Sequence, residues 1–290
     1  MIIVRLKGGL GNQLFQYAIG RVLALHHQTN LILDTAEFAR DPLRNYRLDS
    51  FQVDAKASNQ FWFFPENRIG RRLNILLEAY RKITSHTITL VRETRFSFDS
   101  KILLAPDYSY LDGYWQSEQY FAPISEQLRQ DLCLAIPVSQ AQQELAKKIS
   151  EDKYSVALHV RRGDYVADPA TTAFHGLCSL DWYERAVAQI IKQVPNAHFY
   201  VFSDDYDWVK DNLKLPAPMH FVKPSPDGQE AIDLYLMSLC QHNIIANSSF
   251  SWWGAWLNAN PNKIVITPER WFAAGHQDTS DLIPKKWIRL

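Results

Sequence analysis

The sequence predicts an α/β protein with parallel sheets, and three observations support this. Short apolar strand patterns alternate with amphipathic helix patterns through the second half of the chain. Polar clusters directly follow several of these strands, where ligand-binding residues lie in open parallel sheets. The chain of 290 residues is too long for most single cores, which indicates two domains of ordinary size. We place them at 1–135 and 136–290.

Composition and charge exclude several classes of protein. The 31 basic and 31 acidic residues cancel, so the overall field gives no argument for a nucleic-acid partner. Three widely spaced cysteines predict neither a disulfide framework nor a paired metal site, which favours a reducing cytoplasm. The N-terminus resembles no signal peptide, and no apolar stretch reaches the roughly 18 residues of a membrane span. We therefore expect a soluble, cytoplasmic protein.

The first predicted element is a strand at Ile2 to Leu6, which is followed by the glycine loop GGLGNQ and a helix. The glycines allow the backbone to approach a ligand at the positive end of that helix. Neither the dinucleotide-binding pattern nor the P-loop pattern is complete, so a tight turn without a ligand is an equal alternative. A second strand at Leu31 to Leu33 ends at Asp34.

Residues 59–134 are predicted to be mainly helical and rich in aromatic side chains. A helical pattern at 68–82 has apolar residues on one face and arginines on the other, which favours a solvated domain face. Peripheral contact with the inner face of the membrane is the alternative. The aromatic residues are expected to be core, and the alternative is that Tyr114, Trp115 and Gln116 line an acceptor cleft. A polar amphipathic helix within 135–153 leads into the second domain.

The second half predicts a doubly wound parallel sheet. Its strands are predicted at 154–160, 198–205, 219–222, 243–246 and 263–267. Helices are predicted from Asp181, where Asp181 and Glu184 match a capping box, and at about 229–239. The clusters HVRRGD, SDD and NSS all follow strands, and parallel strands bring such ends to one edge of a sheet. We therefore predict one ligand site built from three strands.

The HVRRGD cluster predicts a diphosphate site, because the planar fork of arginine suits phosphate oxygens and stays charged. Neighbouring strand residues point to opposite faces, so Arg161 is expected to reach the phosphate while Arg162 braces the loop. The alternative is that both arginines only pair with Asp164 and a nearby glutamate. His159 shares a face with Arg161 and is either a ligand contact or a core histidine.

The other two clusters leave similar choices open. Asp205 and Asp207 form a DxD pattern, which in other proteins holds magnesium beside a diphosphate. We favour a site without metal, because arginines and helix dipoles already neutralise a diphosphate. In the NSS cluster, serine hydroxyls and free amides at a helix start suit phosphate oxygens, and capping by Ser249 or Ser251 is the alternative.

Four motifs together carry a family resemblance: GGLGNQLFQYA, HVRRGDY, FSDD and NSSFSWWGAWLN. The chain resembles the bacterial α1,2-fucosyltransferases, which are inverting glycosyltransferases related more distantly to the α1,6- and protein O-fucosyltransferases. The resemblance implies a GT-B arrangement, in which two Rossmann-like domains face each other across a cleft. The C-terminal domain would hold GDP-fucose, and the N-terminal domain, with its helical insert, would lie on the acceptor side. Neither a metal nor a cofactor is implied, since GDP-fucose is a co-substrate.

The resemblance also implies roles for single residues. Arg161 would hold the β-phosphate, and His159 would lie near the nucleoside. Asp233 would accept hydrogen bonds from guanine N1 and N2, and Ser248 or Ser249 would hold phosphate. The predicted catalytic residues are Arg161, Asp164 and His159.

The donor site implied by the resemblance draws on both domains, with the loop at 11–13 closing on the donor from the first. The residues predicted to bind the donor are Gly11, Asn12, Gln13, Arg162, Ser203, Asp204, Asp205, Asp233, Asn247, Ser248, Ser249 and Phe250.

The general base is the point at which this chain departs from the pattern. In the α1,6 relatives a glutamate follows the HxRRxD motif, but the matching stretch YVADPATTAFHG contains none. Asp164, Asp168 and His175 are the candidates. A further alternative is that no base is needed, because strong stabilisation of the leaving group by Arg161 lowers the demand for one.

The function implied by the resemblance is transfer of L-fucose from GDP-fucose to the 2-hydroxyl of a galactose-containing oligosaccharide or lipid-linked glycan, during bacterial O-antigen assembly. One alternative is another nucleotide-sugar transferase of the same fold. A second is a binding module for glycan or nucleotide, which would not need a charge cluster as dense as HVRRGD. A dinucleotide-dependent oxidoreductase is disfavoured, since no GxGxxG motif follows a strand.

Overall fold

A computed structural model describes residues 1–60, 62, 70, 72–74, 88–163, 166, 168–275 and 277–290. These residues form two compact units. The first comprises Met1–Cys133 with Ser280–Leu282, and the second comprises Leu134–Thr279 with Ile283–Leu290. The main division therefore follows Cys133, close to the boundary predicted after residue 135. That the two domains face each other across a cleft stays a prediction.

The first unit is built on a five-stranded parallel sheet with the order β3-β2-β1-β5-β4. Its strands are β1 (Ile2–Arg5), β2 (Leu31–Asp34), β3 (Lys56–Ser58), β4 (Thr89–Arg92) and β5 (Ser109–Asp112). Its helices are α1 (Leu10–His27) and α2 (Ser125–Asp131). Short 3₁₀ turns lie at Ala36–Ala39, Leu48–Ser50, Ser100–Leu104, Glu118–Tyr120 and Ala122–Ile124. The central strand β1 is apolar throughout its first three residues because both of its faces are buried.

The prediction that residues 59–134 are mainly helical does not hold for residues 88–134, whereas most of 61–87 lies outside the described residues. This stretch contributes β4 and β5, and β5 pairs directly with the central strand β1. The four residues of β5 lie between Pro106 and Gly113, which is too short a run for a period of two to show. Of the amphipathic helix predicted at 68–82, only residues 70 and 72–74 are described, so the rest of that prediction lies outside the described residues.

The second unit is built on a six-stranded parallel sheet with the order β11-β10-β9-β6-β7-β8. Its strands are β6 (Ser155–Val160), β7 (His198–Ser203), β8 (Met219–Phe221), β9 (His242–Ile244), β10 (Val265–Thr267) and β11 (Ile288–Arg289). Its helices are α3 (Gln140–Glu151), α4 (Pro169–His175), α5 (Leu180–Gln193), α6 (Tyr206–Asn212), α7 (Glu230–Ser238) and α8 (Ser249–Leu257). The predicted α/β class, with two parallel sheets, is confirmed.

The second sheet is covered on both faces, as in a doubly wound fold. Val156 and Leu158 of β6 lie in one buried cluster with Val187 and Ile190 of α5. The intervening residue Ala157 lies in a second buried cluster with residues of α3 and α7. Because successive side chains of a strand point to opposite faces, this alternation explains why β6 needs an unbroken apolar run.

Helix α5 begins differently from the prediction. Its N-cap is Ser179, whose hydroxyl accepts a hydrogen bond from the backbone N–H of Trp182 at 3.2 Å. The predicted capping box of Asp181 and Glu184 is therefore wrong, because the N-cap Ser179 lies two residues before Asp181. Asp181 instead forms an ion pair with Arg185 at 3.2 Å.

None of the helices in the described part of the chain is long and apolar enough to cross a lipid bilayer.

Candidate functional site

The three polar clusters predicted from the sequence lie side by side at one edge of the second sheet. Strand β6 lies between β9 and β7. The register pairs Val160 with Ser203 and Leu158 with Ile244, so the chain leaves all three strands at similar levels. The sheet order reverses between β6 and β9, because β7 and β8 follow on one side and β10 and β11 on the other. Such a switch point leaves a crevice in which α/β proteins bind ligands.

Asp204 holds the turn that follows β6. Its Oδ2 lies 2.9 Å from Nη1 of Arg161, and its Oδ1 accepts the backbone N–H of Arg162 at 2.8 Å. A Cβ atom on Gly163 would come within 2.6 Å of the same carboxylate, so this turn needs glycine. The Asp204 carboxylate therefore positions both arginines. Its contact with the donor stays a prediction.

Arg162 is fixed from two sides. Its Nε lies 3.2 Å from Oδ2 of Asp205, and its guanidinium lies 3.4 Å from the centre of the Trp208 ring. Stacking of a guanidinium on an indole adds a cation–π attraction. This geometry fits the expected bracing role of Arg162. Direct contacts of Arg162 and Asp205 with the donor stay predictions. The sequence analysis missed Trp208, although its place in SDDYDW, one helical turn after Asp205, was a usable signal.

One alternative predicted from the sequence was that both arginines pair with Asp164 and a glutamate. Both do pair with carboxylates, but these are Asp204 and Asp205. Asp164, which was also a predicted catalytic residue, lies outside the described residues. Ser203 supports the same turn, since its hydroxyl accepts the backbone N–H of Asp205 at 3.0 Å.

His159 is a buried histidine with an unused nitrogen. The residue is 3% exposed, and its Nδ1 has no hydrogen-bond partner among the described residues. Its ring lies 5.7 Å from that of Phe250. Burial lowers the pKa of His159 to about 4; nearby Asp204 opposes this shift and Arg161 adds to it. The imidazole is therefore neutral near pH 7, and it can act through hydrogen bonds but not as a positive charge.

The NSS cluster after β9 divides into a structural residue and a helix start. The Asn247 amide donates to the backbone carbonyls of His175 at 2.8 Å and Trp271 at 3.2 Å. This side chain is buried and ties together segments that follow β6 and β10. The amide nitrogen therefore has a bracing role inside the fold, and a contact of Asn247 with the donor stays a prediction.

Helix α8 begins without a side-chain cap. Ser248 occupies the N-cap position and is buried, yet its side chain makes no capping hydrogen bond. The alternative that Ser249 or Ser251 caps the helix is wrong, since Ser251 donates back to the carbonyl of Ser248 at 3.2 Å. Ser249 and Phe250 form the first helical turn, which contains no acidic residue. The first amides of an uncapped helix and its dipole favour an anion here.

Asp233 lies in the first turn of α7, and its carboxylate holds the preceding loop. It accepts the Ser225 hydroxyl at 2.8 Å and the Ser225 backbone N–H at 3.1 and 3.2 Å. Burial raises the pKa of Asp233 to about 6, against the effect of the hydrogen bonds from Ser225. The side chain is ionised at neutral pH and retains acceptor capacity, because a carboxylate has about four lone-pair positions.

The glycine loop of the first unit is internally braced. Gly8 has a φ of 77°, in the left-handed region, and a Cβ atom there would come within 2.6 Å of the Asn12 amide. Gln13 has no exposed surface. Its amide donates to the carbonyls of Gly8 and Asn45 and accepts the N–H of Arg47. Gln13 therefore supports the loop, Gly11 and Asn12 lie in the first turn of α1, and the contacts of these three residues with the donor stay predictions.

Two of the candidates for a general base have other positions in the fold. Asp168 is the N-cap of α4, and hydrogen bonds from the Thr171 hydroxyl and the Ala170 N–H hold its pKa below the ordinary value. A lowered pKa makes a weaker base. His175 ends α4 and packs against the rings of Phe174 and Phe272. The geometry therefore argues against Asp168 as the base.

The residues covered by the structure contain no group of three or more His, Cys, Asp or Glu side chains arranged to hold a metal ion. In the DxD pattern, Asp205 pairs with Arg162, and Asp207 is exposed in the first turn of α6.

The comparisons with known proteins cover nearly the whole chain. The sequence profile of glycosyl transferase family 11 matches residues 1–290. An alpha-1,2-colitosyltransferase of Escherichia coli is 32% identical over 100% of this chain and 99% of its own length. The O-antigen biosynthesis glycosyltransferase WbnK of Escherichia coli is 32% identical over 98% of this chain and 99% of its own length. A galactoside 2-alpha-L-fucosyltransferase of Caenorhabditis elegans is 23% identical over 99% of this chain and 76% of its own length.

Proposed function

Because the chain belongs to glycosyl transferase family 11, we propose that it transfers L-fucose from GDP-fucose to the 2-hydroxyl of a galactose-containing glycan. Its family and its relatives make it a glycosyltransferase. The choice of the 2-hydroxyl is supported by two relatives named as 1,2- and 2-alpha-transferases. A place in O-antigen assembly is supported by the name of a third.

The observation that carries the proposal is the switch point between β6 and β9. The Arg161 guanidinium follows one strand, and the uncapped start of α8 with Ser248 follows the other. A diphosphate between them would receive guanidinium hydrogen bonds, a serine hydroxyl and helix amides. These groups supply positive potential without a cation, so the proposed reaction needs no metal and no cofactor.

The same groups account for the chemistry of transfer. When the bond between fucose C1 and the β-phosphate oxygen breaks, positive charge develops on the sugar and negative charge on the departing GDP. Arg161, already oriented by Asp204, stabilises that negative charge without having to reorganise. The acceptor 2-hydroxyl attacks C1 from the opposite side, which inverts the anomeric configuration, and its proton is released to solvent as the new bond forms. Neutral His159 contributes a hydrogen bond to the donor through its unused Nδ1.

Transfer of colitose is the second candidate, favoured by the 32% identity to a colitosyltransferase across the whole chain. Colitose is fucose without its 3-hydroxyl. GDP-fucose and GDP-colitose therefore differ only at this hydroxyl and have the nucleotide and the diphosphate in common. A site built to hydrogen-bond the 3-hydroxyl discriminates strongly against the deoxy sugar, whereas a site that leaves it in water does not.

The proposal is tested by product analysis. Purified protein is incubated in EDTA with a β-galactoside and with GDP-fucose, GDP-colitose, GDP-mannose or UDP-galactose, and the product linkage is read by NMR. A new α1,2-linked fucose, formed fastest from GDP-fucose, is the expected result. Faster transfer of colitose would select the second candidate. Transfer only from UDP-galactose, or only after addition of magnesium, would refute the donor assignment.

A further inference from the structure

We propose that the carboxyl edge of the first sheet, between β1 and β5, binds a pyranose ring of the acceptor glycan on the side chain of Tyr114. This inference rests on the proposed function and assigns one half of its substrate pair. The three features that carry it are the topology of the sheet, the build of the loop after β5 and the charge of the edge.

The topology places a second ligand crevice in this unit. In the order β3-β2-β1-β5-β4, the chain runs from β1 outward to β2 and β3, and then begins again at the other edge with β4 and β5. The chain leaves β1 towards β2 on one side, and β5 is reached from the edge strand β4 on the other side. The carboxyl ends of the parallel neighbours β1 and β5 therefore lie side by side, and the loops that follow them diverge at the edge where parallel sheets bind ligands.

The loop after β5 presents an aromatic ring at that crevice. Tyr114 is 36% exposed, and Nζ of Lys7, which follows β1, lies 4.7 Å from the centre of its ring. Lys7 also pairs with Asp112, the last residue of β5, at 3.0 Å. An aromatic face beside ammonium and carboxylate groups suits a sugar, because one face of a pyranose ring is apolar and its edges are hydroxyls.

The loop is held in a strained conformation. Trp115 has a φ of 58°, in the left-handed region that bulky residues rarely adopt. The Glu93 carboxylate accepts the N–H groups of Tyr114 at 2.7 Å and Trp115 at 2.9 Å. A Cβ atom on Gly113 would come within 2.5 Å of Glu93. Strain that the surroundings maintain in this way concentrates at ligand sites.

A side-chain hydrogen bond joins the loops after β1 and β5. The amide of Gln116, which is buried, donates to Oδ1 of Asn12 at 2.7 Å. This bond ties the loop that carries Tyr114 to the glycine loop within the first unit. The alternative raised by the sequence, an acceptor cleft lined by Tyr114 to Gln116, therefore has a structural basis in this unit.

The charge of the edge favours a neutral ligand. Among the described residues, the charged side chains that interact with one another there are two basic and four acidic, namely Arg5, Lys7, Asp34, Glu37, Glu93 and Asp112. Both basic groups already pair with carboxylates at 2.7 to 3.0 Å. An added phosphate would meet an excess of negative charge, whereas sugar hydroxyls donate well to carboxylates.

The test compares two exposed tyrosines at opposite ends of β5. Tyr114 follows the strand, and Tyr108, which is 51% exposed, precedes it. For the full-length variants Tyr114→Ala, Tyr114→Phe and Tyr108→Ala, KM is measured for a β-galactoside acceptor and for GDP-fucose. Binding of methyl β-galactoside is also measured by saturation-transfer NMR on protein saturated with GDP. Thermal melting confirms that each variant is folded.

Tyr114→Ala is expected to raise the KM for the acceptor by about tenfold and to remove the NMR signal, because the stacking face is lost. Tyr114→Phe, which keeps the face, and Tyr108→Ala are expected to change the acceptor KM by less than about threefold. The KM for GDP-fucose should not change in any of the three.

The acceptor assignment would be overturned if the KM of Tyr114→Ala for the acceptor were unchanged. It would also be overturned if this variant raised the KM for GDP-fucose and not the KM for the acceptor. Either result would leave transfer of fucose by the unmodified protein intact, so the proposed function would stand. If the unmodified protein binds no GDP, it is the proposed function that fails. The NMR arm, run without nucleotide, still decides whether Tyr114 binds a galactoside.

Discussion

A single carboxylate positions both arginines of the site: Asp204 lies 2.9 Å from Nη1 of Arg161 through one oxygen, and accepts the backbone N–H of Arg162 at 2.8 Å through the other. The two contacts fix the side chain of one residue and the backbone of the next. The turn after β6 is therefore organised before any ligand arrives. In an enzyme that stabilises a leaving diphosphate, such preorganisation lowers the cost of reaching the transition state.

Asp204→Asn should lower kcat by about tenfold or more while the affinity for GDP stays within about threefold. The asparagine oxygen still accepts the Arg162 N–H, but the ion pair that orients Arg161 is lost. Loss of a negative charge beside the phosphates offsets part of the weaker binding. Steady-state kinetics and calorimetry measure the two quantities. Asp207→Asn, an exposed carboxylate in the same segment, is the control, and equal kcat values for both variants would show that Asp204 has no positioning role.

The low pKa of His159 predicts a pH dependence of stability. The pKa falls from 6.5 to about 4 on folding, so the unfolded chain binds more protons between these values. The contribution of this residue to stability is thus fully present above pH 6.5 and is lost as the pH falls towards 4.

Urea unfolding is measured at pH 7 and at pH 5. Between these values the free energy of unfolding of the native protein should fall by about 2 kcal/mol more than that of His159→Gln. The difference between the two proteins isolates this histidine, because the other titrating groups are common to both. Equal losses would mean that His159 is not buried in a neutral form.

Asn247→Ala should lower the free energy of unfolding by about 1–3 kcal/mol, because it removes the amide donor of the Trp271 carbonyl in a buried bond and a second donor of the partly buried His175 carbonyl. Asn212 provides a matched control. Its amide also donates to a backbone carbonyl, that of Trp208 at 2.8 Å, but the residue is exposed, and water replaces the lost bond. Urea denaturation of both variants measures the difference. A loss in Asn212→Ala as large as that in Asn247→Ala would contradict the bracing role.

The sequence predicted five of the six strands and the polar edge of the second unit because both signals are local, whereas the two-residue strand β11 was not predicted. The apolar run of β6 shows that it is buried on both faces, and the charges begin where the run ends. The partners of the arginines were not predictable in this way. Asp204 meets Arg161 because Val160 pairs with Ser203 across two strands that are distant in sequence. No local pattern distinguishes that carboxylate from Asp164.

Other features depended on tertiary context for the same reason. Strand β5 has four residues and shows no period, so only its pairing with β1 identifies it. Asn247 and Gln13 carry polar amides typical of ligand contacts, yet the fold uses those amides to join backbone segments. Sequence motifs therefore located the site, while the division between ligand contacts and supports required the structure.

The central claim is that Arg161 and the second-unit edge hold the diphosphate of a GDP-sugar without metal. The most direct measurement is calorimetric titration of GDP in EDTA into the native protein, Arg161→Ala and Arg185→Ala, an exposed arginine of α5. We expect the native protein and Arg185→Ala to bind GDP alike. We expect Arg161→Ala to bind GDP at least about tenfold more weakly and to lose transfer while melting at the native temperature. Equal GDP affinity in all three proteins, or binding that requires added magnesium, would contradict the central claim.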